Sequence, residues 1–167
     1  FGTGAHASTQ MCLKALEENI SGGERVIDLG SGRGILSIAS LLLGAATAVG
    51  VDIDPKAEDI ARENAGLNGL TAPRFAAVTG NVIGDKGMME QLSRQPYDVV
   101  LANIVADVII PLAAVVPHFQ GEGGVFICSG ILNTRLEEVL AALDAAGLRV
   151  IRQEEQNDWC CLTAQMK

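Results

Sequence analysis

Apolar positions along this chain fall into short unbroken runs that alternate with longer stretches in which they recur every three or four residues. The first helical stretch is 8–19, where Met11, Cys12, Leu13 and Leu16 hold one apolar side until Ser21-Gly22-Gly23 stops it. A buried strand is expected at 25–29, a helix at 35–43 ended by Gly44, and a second strand at 47–51. Asp54 and Pro55 then supply a cap and a first-turn proline for a helix that Asn68-Gly69 closes. A weaker third strand follows at 74–78, and the mixture of glycine, charge and methionine over 80–95 supports only a short helix near 88–94. Beyond it the pattern gives a fourth strand at 97–101, a helix near 105–116, a turn at Gln120-Gly121-Glu122-Gly123 and a fifth strand at 124–128. Leu136, Val139, Leu140 and Leu143 mark one more helix, closed by Gly147, before strands at 148–154 and 159–165. Repeated βα alternation of this kind predicts a seven-stranded, mostly parallel α/β sheet covered by helices on both faces, with an antiparallel hairpin at its C-terminal edge.

At 167 residues and 49% hydrophobic, the chain is long enough for one sizeable core, so positions 1–167 are read as one domain. The longest apolar stretch, 35–51, is interrupted by Ser37, Ser40, Gly44 and Thr47 and meets Asp52, which makes it a helix and a strand and not a membrane span. The start on Phe1, without Met and without a basic-then-apolar run, leads to the expectation of a fragment of a longer, cytoplasmic protein without a secretory signal. A net charge of -8 argues against a surface that tracks nucleic-acid phosphates. It suits encounter with a basic protein, although many domains carry such charge for solubility alone. The four cysteines, Cys12, Cys128, Cys160 and Cys161, lack CxxC spacing and read as reduced, packed thiols; neighbours 160 and 161 would face opposite sides of a strand, so no metal site is expected.

Chemistry enters at Asp28-Leu29-Gly30-Ser31-Gly32-Arg33-Gly34, where the first strand runs into a glycine-dense turn and a helix. Such a turn brings bare backbone against a ligand. The third glycine falls at 34, one place early for the dinucleotide GxGxxG pattern, which disfavours a nicotinamide oxidoreductase. Glycines alone are weak evidence, because a tight strand-to-helix turn also uses them. Asp52, twenty-two positions after Gly30 at the second strand's end, strengthens the ligand reading as the carboxylate for two ribose hydroxyls, while Asp54 serves as the helix cap. Asn103 ends the fourth strand at the edge where ligands sit in such sheets, although it could simply cap the next helix.

Together these residues resemble the class I S-adenosylmethionine-dependent methyltransferases, with their Rossmann-like fold. Phe1-Gly2-Thr3-Gly4-Ala5-His6-Ala7-Ser8-Thr9, Val51-Asp52-Ile53-Asp54-Pro55, Ala102-Asn103-Ile104, Ser129-Gly130-Ile131-Leu132 and Asp158-Trp159-Cys160 narrow the likeness to the PrmA family, which methylates ribosomal protein L-eleven. The resemblance implies S-adenosyl-L-methionine as cofactor and lysine or amino-terminal amines of a basic ribosomal protein as acceptors. It also implies a small upstream domain that docks the substrate. Cofactor contacts are expected from Thr9, Gly30, Asp52 and Asn103, with Asp28, Gly32, Gly34 and Ile53 around them. Ser8 stands where the family has a first Thr and keeps the hydroxyl. Asn81, at the third strand's end where many relatives have an acid, could accept from the adenine amino group. Asn103 is also the candidate for orienting the amine, and His6 either approaches the substrate or hydrogen-bonds its own loop. The sequence after Asn103, Ile104-Val105-Ala106, lacks the proline-aromatic pair of nucleobase methyltransferases. Other acceptors remain open, as does a cofactor-binding interaction module without turnover.

Overall fold

The computed structural model describes residues 6–167; the first five residues of the opening motif, Phe1-Gly2-Thr3-Gly4-Ala5, lie outside the described residues. Elements follow in the order α1 (Ala7–Asn19), β1 (Arg25–Leu29), α2 (Ile35–Leu42), β2 (Thr47–Asp52), α3 (Pro55–Leu67), β3 (Phe75–Thr79), α4 (Lys86–Leu92), β4 (Tyr97–Asn103), α5 (Ala106–Ala113), α6 (Val116–Phe119), β5 (Gln120–Leu132), α7 (Leu136–Ala145), β6 (Leu148–Gln156) and β7 (Trp159–Met166). They build one sheet in the order β3-β2-β1-β4-β5-β7-β6. Strands β1 to β5 are parallel, and β7 runs antiparallel to both of its neighbours.

Successive side chains of the strands go to opposite faces, and both faces are covered. Ile27, Leu29, Val100 and Phe126 pack with Ile109, Phe119 and Leu143 under α5, α6 and α7. Val26, Leu101 and Ile127 pack with Leu16, Leu36 and Ala61 under α1, α2 and α3. This alternation sends Cys160 into the first layer and Cys161 into the second, and all four cysteines are buried free thiols. Among the described residues no helix is long and apolar enough to cross a membrane.

Three features depart from the simple alternation. The helix expected over 105–116 is two, α5 and α6. Pro117 has no N–H to donate back to Ala113 and its ring would crowd that carbonyl, so the chain breaks and restarts with proline in a first turn. The expected turn at 120–123 is a bulge inside β5: Gln120 pairs with Tyr97, and the ladder resumes with Val125 opposite Val99. Gln120 Nε2 donates across the bulge to the Gly124 carbonyl at 2.8 Å, and a Cβ on Gly124 would stand 2.9 Å from the Tyr97 carbonyl oxygen. The last departure is the place of β7. The turn at Asn157 and Asp158, with φ of 51° and 67°, folds β7 back between β5 and β6, leaving β6 as the edge.

Sheet order reverses between β1 and β4, since β2 and β3 lie to one side and β5 to the other. That switch point opens a crevice at the carboxyl ends of the two strands. Asp28, Asn103 and Asp52 all end up there, because the register sets Asp28 beside Leu101 and Gly50, and each partner strand runs two residues further.

Candidate active site

The loop after β1 takes its shape from glycine conformations that L side chains avoid: Gly30, Gly32 and Gly34 have φ of 87°, 52° and 83°. At Gly30 space is also decisive, because an added Cβ would lie 2.6 Å from Ile104 Cγ2. The loop is fastened to β2, with Gly30 N and Ser31 N both donating to the Val51 carbonyl, at 2.7 and 3.0 Å. Asp52 completes the fastening. Its Oδ2 accepts from Gly32 N at 2.9 Å and its Oδ1 from Asp54 N at 3.0 Å, which leaves each oxygen capacity for a further donor. Asp54, in contrast, turns its carboxylate onto Lys56 N at 3.0 Å and caps α3.

Helix α1 forms the other wall. His6 is its N-cap: Nδ1 accepts from Ser8 N at 3.1 Å and lies 2.7 Å from Ser8 Oγ, while the ring stands edge-on to Trp159 with centroids 5.0 Å apart. Of the two readings of His6, this geometry supplies the local hydrogen-bonding one. One residue beyond Ser8, buried Thr9 accepts from Asn103 Nδ2 at 3.1 Å and so ties the helix to the end of β4. The Asn103 side chain therefore faces the crevice and does not cap α5, whose N-cap is Val105 without a side-chain bond.

Two adjoining cavities share Gly30. One, of about 180 Å³, is lined by Thr9, Asp28, Gly30, Gly32 and Asn103 and also by Arg33. The other, of about 270 Å³, has an apolar wall of Leu29, Val82, Ile104 and Leu112, with Asp52, Ile53 and Asn81 at its polar side. Ile53 is 72% exposed, an unusual position for so large an apolar side chain outside a binding rim. Asn81 belongs to this wall, but its Oδ1 already accepts from Ile83 N at 3.0 Å, in a turn that shapes its own loop. Sequence reasoning overlooked Val82, Ile83, Ile104 and Val108 as lining residues. A signal existed in the structure's exposure pattern: Ile83, in the loop after β3, and Val108, in the first turn of α5, are large apolar side chains left partly exposed.

The electrostatics centre on Asp28. It is 1% exposed, and its Oδ1 accepts no hydrogen bond among the described residues. Burial, helped by the neighbouring Asp52 charge and opposed by Ser37, pushes its carboxyl up to about 7. Asn103 Oδ1 is likewise buried with no protein donor. Buried acceptors left this way are rare unless a ligand satisfies them. Among the described residues no group of three His, Cys, Asp or Glu side chains is placed to hold a metal ion.

Comparison with known proteins adds the following. The family model described as ribosomal protein L11 methyltransferase (PrmA) matches residues 1–167. A relative named ribosomal protein L11 methyltransferase from Agathobacter rectalis is 44% identical over 168 residues, covering 99% of this chain and 52% of the relative. One of the same name from Lachnoclostridium phytofermentans is 39% identical over 178 residues, 99% of this chain and 54% of the relative. The crystal structure of a ribosomal protein L11 methylase from Lactobacillus delbrueckii subsp. bulgaricus superposes with a TM-score of 0.89 at 28% identity, covering 100% of this chain and 81% of that one. The chain thus spans about half the length of the curated relatives it matches.

Proposed function

The chain belongs to the ribosomal protein L11 methyltransferase (PrmA) family, and from that premise we propose that it forms the cofactor-holding part of an S-adenosylmethionine-dependent protein N-methyltransferase. Its acceptors are lysine or amino-terminal amines of ribosomal protein L11. Recognition of that protein involves the half of the relatives' length that these residues do not span.

The observation that carries the reading is the pair of cavities joined at Gly30, one polar with unsatisfied buried acceptors and one apolar with a carboxylate at its entrance. S-adenosyl-L-methionine has the matching division: an amino-acid end, a ribose and a flat base. Asp28, Thr9 and the backbone at Gly30 hold the amino-acid end. Gly32 and Gly34 keep the loop in the shape that admits it, and Asp52 takes the ribose hydroxyls with its remaining acceptor capacity. Ile53 and the apolar wall enclose the base, with the Asn81 loop at its edge.

When bound, the cofactor supplies a sulfonium methyl, an electrophile activated enough that no protein nucleophile is required. What remains for the protein is to orient an amine and keep water out. A lysine amine has an ordinary pKa of ~10.4, so its neutral form at pH 7 costs about 4 to 5 kcal/mol, a cost that desolvation in a closed crevice reduces. Asn103 orients the amine: its Oδ1 is an acceptor without charge, and the Thr9 hydroxyl fixes the amide by taking the Nδ2 hydrogen. His6 contributes at one remove, by starting the helix that carries Thr9.

Titration calorimetry of the chain with S-adenosylhomocysteine tests the cofactor half of this reading, with saturable binding as the expected result. Absence of heat from folded protein would end it. Transfer of labelled methyl to purified L11, in a protein of the relatives' full length, tests the acceptor half. Binding without transfer would favour an interaction module, and transfer to other proteins but not L11 would redirect the substrate.

A further inference from the structure

Asp28 combines three properties that seldom coincide. Its carboxyl is almost fully enclosed, one of its oxygens meets no protein donor, and it lines the polar cavity. The enclosure follows from the fold. Asp28 lies two residues after Val26 and so shares its face of β1, the one covered by α1 and α2, while Ile27 and Leu29 face the other layer.

Among the described residues the groups around it offer no compensating cation. From β2 comes Asp52, a second carboxylate, and from α1 the Cys12 thiol, itself raised by its hydrogen bond with Cys161 and by burial. Helix α2 carries no ionisable side chain and presents Ser37, a neutral hydroxyl that lowers the Asp28 carboxyl by less than burial and Asp52 raise it. The ionisable groups of β4, Tyr97 and Asp98, sit at that strand's far end, away from Leu101, which pairs with Asp28. Arg33 lines the same cavity from the loop, but it is exposed and does not figure among the groups that set the Asp28 charge. An enclosed carboxylate beside a like charge, with one oxygen short of a donor, is costly, and accepting a proton removes that cost.

We propose that Asp28 holds a proton in the free protein and gives it up when it receives the α-ammonium group of the cofactor, so that cofactor binding is coupled to proton release. An ammonium group brings both the positive charge and the N–H donors that the Asp28 carboxylate lacks, and the charge-assisted bond exists only for the ionised acid. The position of the carboxyl near 7 sets the proton exchange in the neutral range. The inference rests on the cofactor reading given above and concerns only the protonation of one residue within it.

The test is titration calorimetry of the whole chain with S-adenosylhomocysteine in buffers of different ionisation enthalpy, which counts protons directly. Release of about 0.9 proton per site is expected at pH 6 and about 0.5 at pH 7, with affinity falling towards tenfold per pH unit below about pH 6. Methylthioadenosine, which has the base and ribose but no amino-acid end, is expected to bind without release. The Asp28→Asn variant is expected to bind S-adenosylhomocysteine without release, its fold being checked by retained methylthioadenosine binding. Should that variant fail to fold, the comparison of the two ligands on the unaltered protein still decides. Binding of S-adenosylhomocysteine with no linked proton, or equal release with methylthioadenosine, would overturn the proposal and leave the cofactor reading standing. No binding of S-adenosylhomocysteine at any pH would instead remove the cofactor reading and this inference with it.

Discussion

Asp28 occupies a place that stability alone would give to an apolar residue. The sequence offered it as the acid ahead of a glycine turn, and that much could be read from its position two residues before Gly30. Its enclosure could not, because burial comes from α1 and α2 closing over one face of β1, a tertiary event without local signature. The energetic consequence has a definite sign. A carboxyl raised in the fold binds more protons folded than unfolded, so its contribution is fully favourable below its ordinary value near 4 and is lost as the pH rises through about 7. Asp28→Asn removes this penalty. Urea unfolding is expected to show the variant gaining on the original protein as pH goes from 4 to 8, by an amount on the order of a few kcal/mol. An equal stability difference at pH 4.5 and pH 8 would mean that the residue is charged throughout.

At the scale of elements, the junction of β2 and α3 separates two carboxylates that differ by two positions in sequence. Asp52 belongs to the strand and keeps acceptor capacity towards the cavity, while Asp54 belongs to the helix and turns onto Lys56 N. This division was legible, since Pro55 marks a helix start and the residue before it is the natural cap. Asp54→Ala is accordingly expected to lower stability by about 1 kcal/mol and to change S-adenosylhomocysteine affinity by less than about twofold. Asp52→Ala is expected to lower that affinity by about tenfold or more, as loss of a charged acceptor would. Equal effects of the two substitutions on binding would dissolve the assignment. Elsewhere the sequence misled at one cluster of glycines and at one proline. The stretch Gln120-Gly121-Glu122-Gly123 read as a turn, yet Gly121 and Gly124 let a bulged strand cross close to Tyr97, and nothing local distinguishes those uses. Likewise the apolar period over 105–116 continues through a break that only the backbone demands of Pro117.

For the molecule as a whole, the alternation of strands and helices was readable, but the insertion of β7 between β5 and β6 was not, because a hairpin pattern says nothing about which arm docks. The outcome places Trp159, at the start of β7, against the His6 ring at the start of α1. Charge is the other property of the whole, and its sum of -8 admits two accounts, solubility or attraction of a basic partner. They diverge in their dependence on salt. Attraction acts over roughly the Debye length, about 10 Å at 0.1 M and about 3 Å at 1 M, so it steers encounter at low ionic strength and fades as salt is added. Asp28 and Thr9 inside the crevice are buried and so feel that screening much less. If the acidic surface recruits a basic protein acceptor, the KM for that acceptor in methyl transfer is expected to rise several-fold between 50 and 300 mM salt while kcat stays within about twofold. Affinity for S-adenosylhomocysteine serves as the internal control, since a small ligand held in the crevice depends little on the distant surface. A KM that ignores salt would assign the charge to solubility and return acceptor choice to contacts of shape and hydrogen bonding.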